Sequence, residues 1–254
     1  MKSDSNSMRG LPAGARFHQS LAPEWEAGYK TGAFRRRESF ARAVLANEVR
    51  RSTEWLDVGC GTGRFTRVLA ELGARAVGVD AAPAMISAAR RLQTTAGGPA
   101  AHSYRVVPTV ERLDFDDLSF DGIACLSVLE YLDHPQLALS EMARVLRVGG
   151  RLVISVPHRH SVVRSLQSTM RRAGRRLGSD LFRYLSVSRN SYTKRGLVKV
   201  LRDQGLHAES VRGFYVLGLE AAIGATPPSL LFAVATKAQA STRSAVAVAA
   251  RCAP

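Results

Sequence analysis

The stretch EWLDVGCGTGRFTRVLAELGARAVGVD, from Glu54 to Asp80, sets the architecture of the chain. It opens with a short apolar run, EWLDV, that stops at a glycine and has the length of a buried strand. Gly59, Gly61 and Gly63 follow at alternate positions. Phe65, Val68, Leu69 and Leu72 then recur at helical spacing, and Gly73 ends the pattern. RAVGVD is a second β-rich run, and it closes on Asp80. Strand, glycine loop, helix, strand and terminal acid stand in the order of a parallel βαβ unit.

Alternate glycines after a strand let the backbone turn sharply and approach a ligand closely. The loop feeds a helix N-terminus, whose free N–H groups favour negative or polar groups. A dinucleotide loop needs its third glycine at position 64, where this chain has Arg64. A nucleoside triphosphate loop needs a Gly-Lys-Ser/Thr ending, which is absent. Asp80, at the end of the second strand, is placed to accept hydrogen bonds from two ribose hydroxyls. The ligand expected is therefore one with a ribose but no dinucleotide pyrophosphate, and Asp57 would sit below it.

The same alternation continues outward. PAMISAARRLQ reads as a helix, HSYRVV as a third strand and FDGIACLSV as a fourth with Gly122 inside it. HPQLALSEMARVLRVGG reads as a helix closed by Gly149 and Gly150, and RLVISVP as a fifth strand. TKRGLVKVLRDQG is a helix with Thr193 as N-cap and Gly205 as stop. LHAESVRGFYVLG and SLLFAVATK supply the last two strands. Strands alternating with helices predict an α/β fold with a mostly parallel sheet covered on both faces.

The chain of 254 residues, 46% of them hydrophobic, suits one α/β domain with decoration. It contains no apolar run of the length a membrane span needs. MKSDSNSMRGLPAGARF lacks the apolar core of a secretory signal and reads as a flexible polar arm. Cys60, Cys125 and Cys252 show neither a disulfide framework nor metal-ligand spacing, so no metal is expected and the default setting is the reducing cytoplasm. The net charge of +15 is concentrated: residues 151–200 hold twelve Lys/Arg against Asp180 alone. Such clustering speaks of partners and surfaces rather than of fold.

LDVGCGTGRFTRVLAELGARAVGVDAAPAMISAAR resembles the first motif of class I S-adenosylmethionine-dependent methyltransferases. SFDGIACLSVLEYLDHP resembles their fourth-strand motif, EMARVLRVGGRLVISVP the helix and strand that follow, and SYTKRGLVKVLRDQGL their late helix. The nearest branch is the small-molecule one that includes ubiquinone-biosynthesis O-methyltransferases. The resemblance implies a Rossmann-like, doubly wound, seven-stranded sheet with an antiparallel last strand. It implies a methyltransferase domain over 51–236, behind an arm and helical cover over 1–50; the Ala/Ser-rich composition of 237–254 predicts a disordered tail. It implies S-adenosyl-L-methionine as cofactor. Gly59, Gly61 and Gly63 would cradle its methionine part, with Asp57 near the amino group. Asp80 would take the ribose, with Ala81 and Met85 beside the adenine. Leu126, Ser127 and Glu130 would lie under the sulfonium and at the substrate side. Where relatives carry Gly-Asp-Ala near the adenine, this chain has Thr109 and Val110. Where the quinone branch reads LEH, it has LEY, ending in Tyr131, so a metal-assisted mechanism is not carried over.

PEWEAGYKTGAFRRRESFARAVL resembles the family's helical cover, with Tyr29 and Arg35, Arg36 or Arg37 facing the cofactor carboxylate; Arg37 is the choice. Bases for an acceptor hydroxyl could come from Glu130, Tyr131, His158, His134 or His160, and nothing in the sequence selects among them. The basic segment, about 158–190, falls where the family has its substrate lid. In it Val163, Leu166, Met170, Ala173 and Leu177 form one apolar stripe, with Arg164, Arg171, Arg172, Arg175 and Arg176 mainly elsewhere. Either the stripe packs on the domain, or residues 161–185 make peripheral contact with an anionic membrane at the inner face. RNA is a rival partner, though no aromatic platform is interleaved with the arginines. A noncatalytic binding module on the same fold is a third reading. The expected reaction is in-line transfer of a methyl group to oxygen of a small or lipid-like acceptor.

Overall fold

The computed structural model describes residues 10–28, 32–95, 101–176, 182–216 and 226–239. Seven strands form one sheet: β1 (Glu54–Val58), β2 (Arg75–Asp80), β3 (His102–Val106), β4 (Phe120–Leu126), β5 (Leu146–Pro157), β6 (Leu206–Phe214) and β7 (Leu230–Lys237). Their order is β3-β2-β1-β4-β5-β7-β6. The pairs from β3 through β5 are parallel, and β7 runs antiparallel to both β5 and β6. The sheet is thus the mostly parallel, seven-stranded one expected, with its last strand reversed.

Helices cover both faces. They are α1 (Ala13–Leu21), α2 (Trp25–Gly28), α3 (Gly32–Glu48), α4 (Arg64–Glu71), α5 (Pro83–Thr95), α6 (Pro135–Val145), α7 (Val162–Arg176) and α8 (Lys194–Arg202). The central strands divide their side chains by the period of two. Leu56, Val58, Ile123, Cys125, Leu152 and Ile154 enter a core closed by Leu139 and Met142 of α6 and by Leu197 and Leu201 of α8. Trp55, Ala124, Leu126 and Val153 enter the opposite core with Leu45 of α3 and Val68 and Leu69 of α4. Burial on both faces explains why these strands read as continuous apolar runs. Gly122 is needed inside β4 because a Cβ there would lie 2.3 Å from the Trp55 ring.

Three local expectations are corrected. The helix before β5 ends at Val145, not at the glycines, and β5 starts at Leu146. Gly149, at φ +75°, and Gly150 lie where the register against β4 shifts, between Phe120↔Leu146 and Gly122↔Arg151. A Cβ on Gly150 would meet the Arg147 carbonyl oxygen at 2.8 Å, so the glycines serve an irregular strand opening. The polar arm is helical from Ala13, because Gly14, Phe17, His18 and Leu21 share one face of α1. Thr193 does cap α8, accepting from the Gly196 N–H at 3.0 Å. Residues 1–9 and the tail beyond residue 239 lie outside the described residues, as does Tyr29. Among the described residues no helix is long and apolar enough to cross a membrane, and no acid, histidine or cysteine cluster could hold a metal ion.

Candidate active site

The parallel strands deliver their C-terminal ends to one edge of the sheet, and the glycine loop stands there between β1 and α4. The three glycines answer three different demands. Gly59 (φ +68°) runs under Val128, whose Cγ2 would be 2.4 Å from a Cβ. Gly63 (φ +79°) caps α4 and is pressed against Tyr104, 2.4 Å from a Cβ. Gly61 (φ +54°) meets only Trp25 Nε1, at 3.7 Å. Gly59 and Gly61 line the cavity, whereas Gly63 does not, so its role is packing rather than ligand contact.

Two acids support the loop. Asp80 ends β2; its Oδ2 accepts from the Gly61 N–H at 2.9 Å and its Oδ1 from the Ala82 N–H at 2.8 Å. Burial raises its carboxyl above the ordinary range, against those N–H groups and nearby His18. Asp57 is buried beneath the loop and accepts from the Thr66 hydroxyl at 2.6 Å. Burial pushes the Asp57 carboxyl up to about 7.

The turn after β4 is the third wall. Ser127 holds φ +59°, a left-handed conformation that costs a non-glycine residue of order 1–3 kcal/mol. Its N–H donates to the Ser155 carbonyl on β5 at 3.0 Å. A single 3₁₀ turn, Leu129–Tyr131, follows. Asn190 Nδ2 clamps it from outside, donating to the carbonyls of Leu129 (2.9 Å) and Leu132 (2.8 Å). The backbone N–H of Arg189 donates to the Glu130 carbonyl at 2.7 Å. The Glu130 side chain is 2% exposed and its Oε2 has no hydrogen-bond partner. Burial pushes its carboxyl up to about 7, opposed by the charges of Arg37 and Arg164. Tyr131 is held protonated: burial and Glu130 carry its hydroxyl far above the usual range.

The cover is fastened to this machinery. Arg64, at the position where a dinucleotide loop needs glycine, pairs with Glu38 of α3 at 2.7 Å and Glu26 of α2 at 3.3 Å. Thr62 of the loop donates to Glu26, and the Ala84 N–H donates to Gln19 Oε1 at 2.9 Å. Gly14 touches the active-site turn so closely that a Cβ would sit 2.8 Å from Tyr131 Cβ.

These walls enclose a cavity of about 580 Å³, within the range of small-molecule sites. From the sequence it gathers Asp57, Gly59, Gly61, Asp80, Ala81, Met85, Thr109, Val110, Leu126, Ser127, Glu130, Tyr131 and Arg37. Arg37 Nε is buried there without a partner. Thr109 turns its Oγ1 back to accept from the Glu111 N–H at 3.1 Å. His158 is not brought to the cavity. Its N–H donates to the Ser229 carbonyl at 3.1 Å, and its Nδ1 accepts from the His160 N–H at 3.2 Å.

Several lining residues escaped the sequence: His18 and Trp25 of the cover, Arg164 and Gln167 of the lid, and Phe182, Arg183 and Tyr184 beyond it. The spacing of Gly14, Phe17, His18 and Leu21 was the available signal for α1; nothing comparable marks Phe182. The lid helix α7 is turned differently from expectation. Val163 faces the cavity with Arg164 and Gln167. Arg164 donates to Ser188 at 2.7 Å and lies over the Tyr184 ring, while Tyr184 donates to Gln167 at 2.6 Å. Leu166 and Met170 point outward with Val162, at 59%, 44% and 54% exposure. The apolar stripe is therefore split between cavity and solvent; Leu177 and the side chains of Arg175 and Arg176 lie outside the described residues.

Residues 56–154 match the family described as "Methyltransferase domain". A curated relative from Xylella fastidiosa, named ubiquinone biosynthesis O-methyltransferase, is 32% identical over 163 residues, which is 62% of each chain. The match thus spans less than two thirds of that relative. Among solved structures, an S-adenosylmethionine-dependent methyltransferase from Mesorhizobium loti superposes with a TM-score of 0.59 at 22% identity, covering 77% of this chain and 95% of that one. A protein named the [4+2]-cyclase SpnF superposes with a TM-score of 0.60 at 16% identity, covering 78% and 80%. At such identities the structures speak for the fold alone. Residues 56–154 thus match a methyltransferase domain, and the sheet order around them is the fold shared with S-adenosylmethionine-dependent methyltransferases.

Proposed function

We propose that this chain methylates a small or lipid-like acceptor, on oxygen, using S-adenosyl-L-methionine. The observation that carries the reading is the continuity of one cavity from the glycine loop to the lid. Its loop end holds Asp80, Ala81 and Met85; its lid end holds Val163, Phe182, Tyr184, Phe214 and Val216. A ligand with a polar nucleoside end and an acceptor with apolar body would share it.

The residues present fit the cofactor. Each Asp80 oxygen takes one backbone N–H and keeps a lone pair for a ribose hydroxyl. Gly61 exposes bare backbone on the cavity side, and Arg37 offers an unpartnered guanidinium Nε for a carboxylate. Thr109 and Val110 border the adenine end. When bound, the cofactor supplies a methyl group already activated on a sulfonium. What the chain adds is alignment and exclusion of water, which together can supply up to roughly 7–11 kcal/mol of a barrier. The helical cover and the lid provide both. Buried Glu130 can bind an acceptor hydroxyl at its open Oε2, and protonated Tyr131 can donate to one.

Peripheral contact with an anionic membrane, at the inner face in a cytoplasmic setting, is supported by the outward face of α7. Val162, Leu166 and Met170 are exposed beside a strongly basic segment. That combination suits insertion at a headgroup boundary. Insertion there would bring the cavity's lid end to a lipid-like acceptor.

Calorimetry with S-adenosylhomocysteine tests the first reading. Binding is expected to weaken at least tenfold in Asp80→Ala; no binding at millimolar ligand, or no effect of the substitution, refutes it. A chain that binds the cofactor yet methylates nothing would revive the noncatalytic reading. Sedimentation with phosphatidylglycerol vesicles tests the second. Binding should fall with salt and with Leu166→Glu or Met170→Glu, and equal recovery with neutral vesicles, or preference for RNA, would overturn it.

A further inference from the structure

His18 is the feature of the cavity that the reading so far leaves unused. It comes from α1, and its imidazole is packed edge-to-face against three rings: Tyr131 at 4.7 Å, Trp25 at 5.3 Å and Phe17 at 5.3 Å. Its Nδ1 lies 2.7 Å from the Gly14 carbonyl oxygen. A carbonyl can only accept, so Nδ1 carries the hydrogen and the neutral ring is left with its lone pair on Nε2. Nε2 has no hydrogen-bond partner among the described residues, and the ring lines the cavity. The ring is therefore fixed in tautomer, with Nε2 as its acceptor nitrogen, and it stands in the cavity wall. Gly14 contributes twice, once through its carbonyl and once by lacking the Cβ that would push α1 off Tyr131.

We propose that His18 is the general base of the transfer, taking the acceptor's hydroxyl proton on Nε2; this rests on the O-methylation reading above. The acceptor O–H bond breaks toward Nε2, the ring becomes imidazolium, and the freed oxygen pair forms the bond to the methyl carbon. The carbon–sulfur bond breaks with its electron pair left on sulfur, and the ring later returns its proton to water.

The surroundings suit both halves of this cycle. Burial holds the resting ring below the usual histidine range, so it waits unprotonated at neutral pH. Asp80, at the end of β2, and the Gly14 carbonyl favour the protonated ring once it forms. The other titratable groups on the cavity are Asp57 below the loop, Cys60 in it, Glu130 and Tyr131 on the turn, Arg37 on α3, and Arg164, Arg183 and Tyr184 on the lid side. Glu130 is the competitor, since it is buried in the same cavity with an unpartnered oxygen. The charges of Arg37 and Arg164 favour its ionised form, whereas Asp80 favours the protonated form of His18.

Two measurements decide. Ring ¹⁵N shifts of histidine-labelled protein saturated with S-adenosylhomocysteine, assigned by loss of one signal in His18→Gln, should report an Nδ1–H tautomer titrating below the free imidazole. A ring protonated on Nε2, or one already charged at neutral pH, overturns the proposal without any acceptor being needed. Methyl transfer to catechol and to the far more acidic 4-nitrocatechol, followed against pH, gives the second. His18→Gln should slow catechol by roughly 10²-fold or more, slow 4-nitrocatechol at least tenfold less, and remove the acid limb of the catechol profile. Equal losses on both acceptors, or an acid limb that survives in His18→Gln and vanishes in Glu130→Gln, would reject it. Failure of wild-type protein to bind S-adenosylhomocysteine would instead strike the reading beneath it.

Discussion

Gly61→Ala separates ligand contact from fold more cleanly than any other change in the loop. Gly59, Gly61 and Gly63 all have positive φ, at +68°, +54° and +79°, so alanine at any of them bears the left-handed penalty of roughly 1–2 kcal/mol. They differ in what the new methyl meets. At Gly63 it would lie 2.4 Å from the buried Tyr104 ring, and such overpacking adds typically ~1–3 kcal/mol. At Gly61 its nearest neighbour is Trp25 Nε1 at 3.7 Å, an ordinary contact. Gly61→Ala should therefore lose only the backbone term, a melting shift of roughly 2–8 °C for a chain of this size. Gly63→Ala should lose about 2–5 kcal/mol in all. The ligand response should rank the other way. At one hundred times the dissociation constant, S-adenosylhomocysteine stabilises the native protein by about 2.7 kcal/mol. A tenfold weaker site in Gly61→Ala would leave about 1.4 kcal/mol at the same concentration. Folded Gly63→Ala should keep most of the wild-type increment, because position 63 does not line the cavity. Urea titrations with and without ligand give both numbers. A full ligand increment in Gly61→Ala would refute the assignment of that backbone to the ligand, and equal stabilities of the two variants would refute the Tyr104 argument.

Asp57 gives a pH test: its carboxyl sits near 7 in the native chain against an ordinary 3.8. The native state then holds the proton more tightly than the unfolded one, so stability should fall as pH rises through that window, by up to about 1.4 kcal/mol per pH unit, and level off above it. Asp57→Asn should flatten its share of the slope in urea midpoints taken from pH 4.5 to 7.5; a wild-type curve that rises instead contradicts the burial argument. Arg64→Ala removes both ion pairs that hold the cover to the loop. Hydrogen bonds to charged groups are worth about 1.5–3 kcal/mol, so limited trypsin should cut the cover at least tenfold faster while the sheet's melting changes little. Ser127→Gly should relieve the left-handed strain and raise stability by about 1 kcal/mol; a loss of stability would mean that Ser127 contacts outweigh its backbone cost.

The fold was legible because its signals are local. Each buried strand announces itself as a short apolar run, and the loop's glycines stand where a backbone rule demands them. Thr193 and Gly205 could be assigned to the ends of α8 for the same reason: a cap is a contact within one turn of chain. The helix before β5 was read too long because Gly149 and Gly150 look like a C-cap, while the irregularity they serve involves the register against β4 and lies across the sheet. The candidate site divides in the same way. Asp57, Gly61 and Asp80 follow from the order of strand, loop and strand, and all reach the cavity. Gly63 joins them by spacing and by family resemblance, and neither carries information about Tyr104, forty-one residues downstream in another strand. His158 looked well placed by following β5, yet the chain turns it toward Ser229 and His160. His18 had the opposite fate. Its surroundings come from Gly14 on its own helix, Trp25 on the next, Asp80 at a strand end and Tyr131 on a turn, and no window of sequence contains them all. What a single sequence hides is the meeting of separate elements over the sheet edge, and the chemistry of this cavity depends on such meetings.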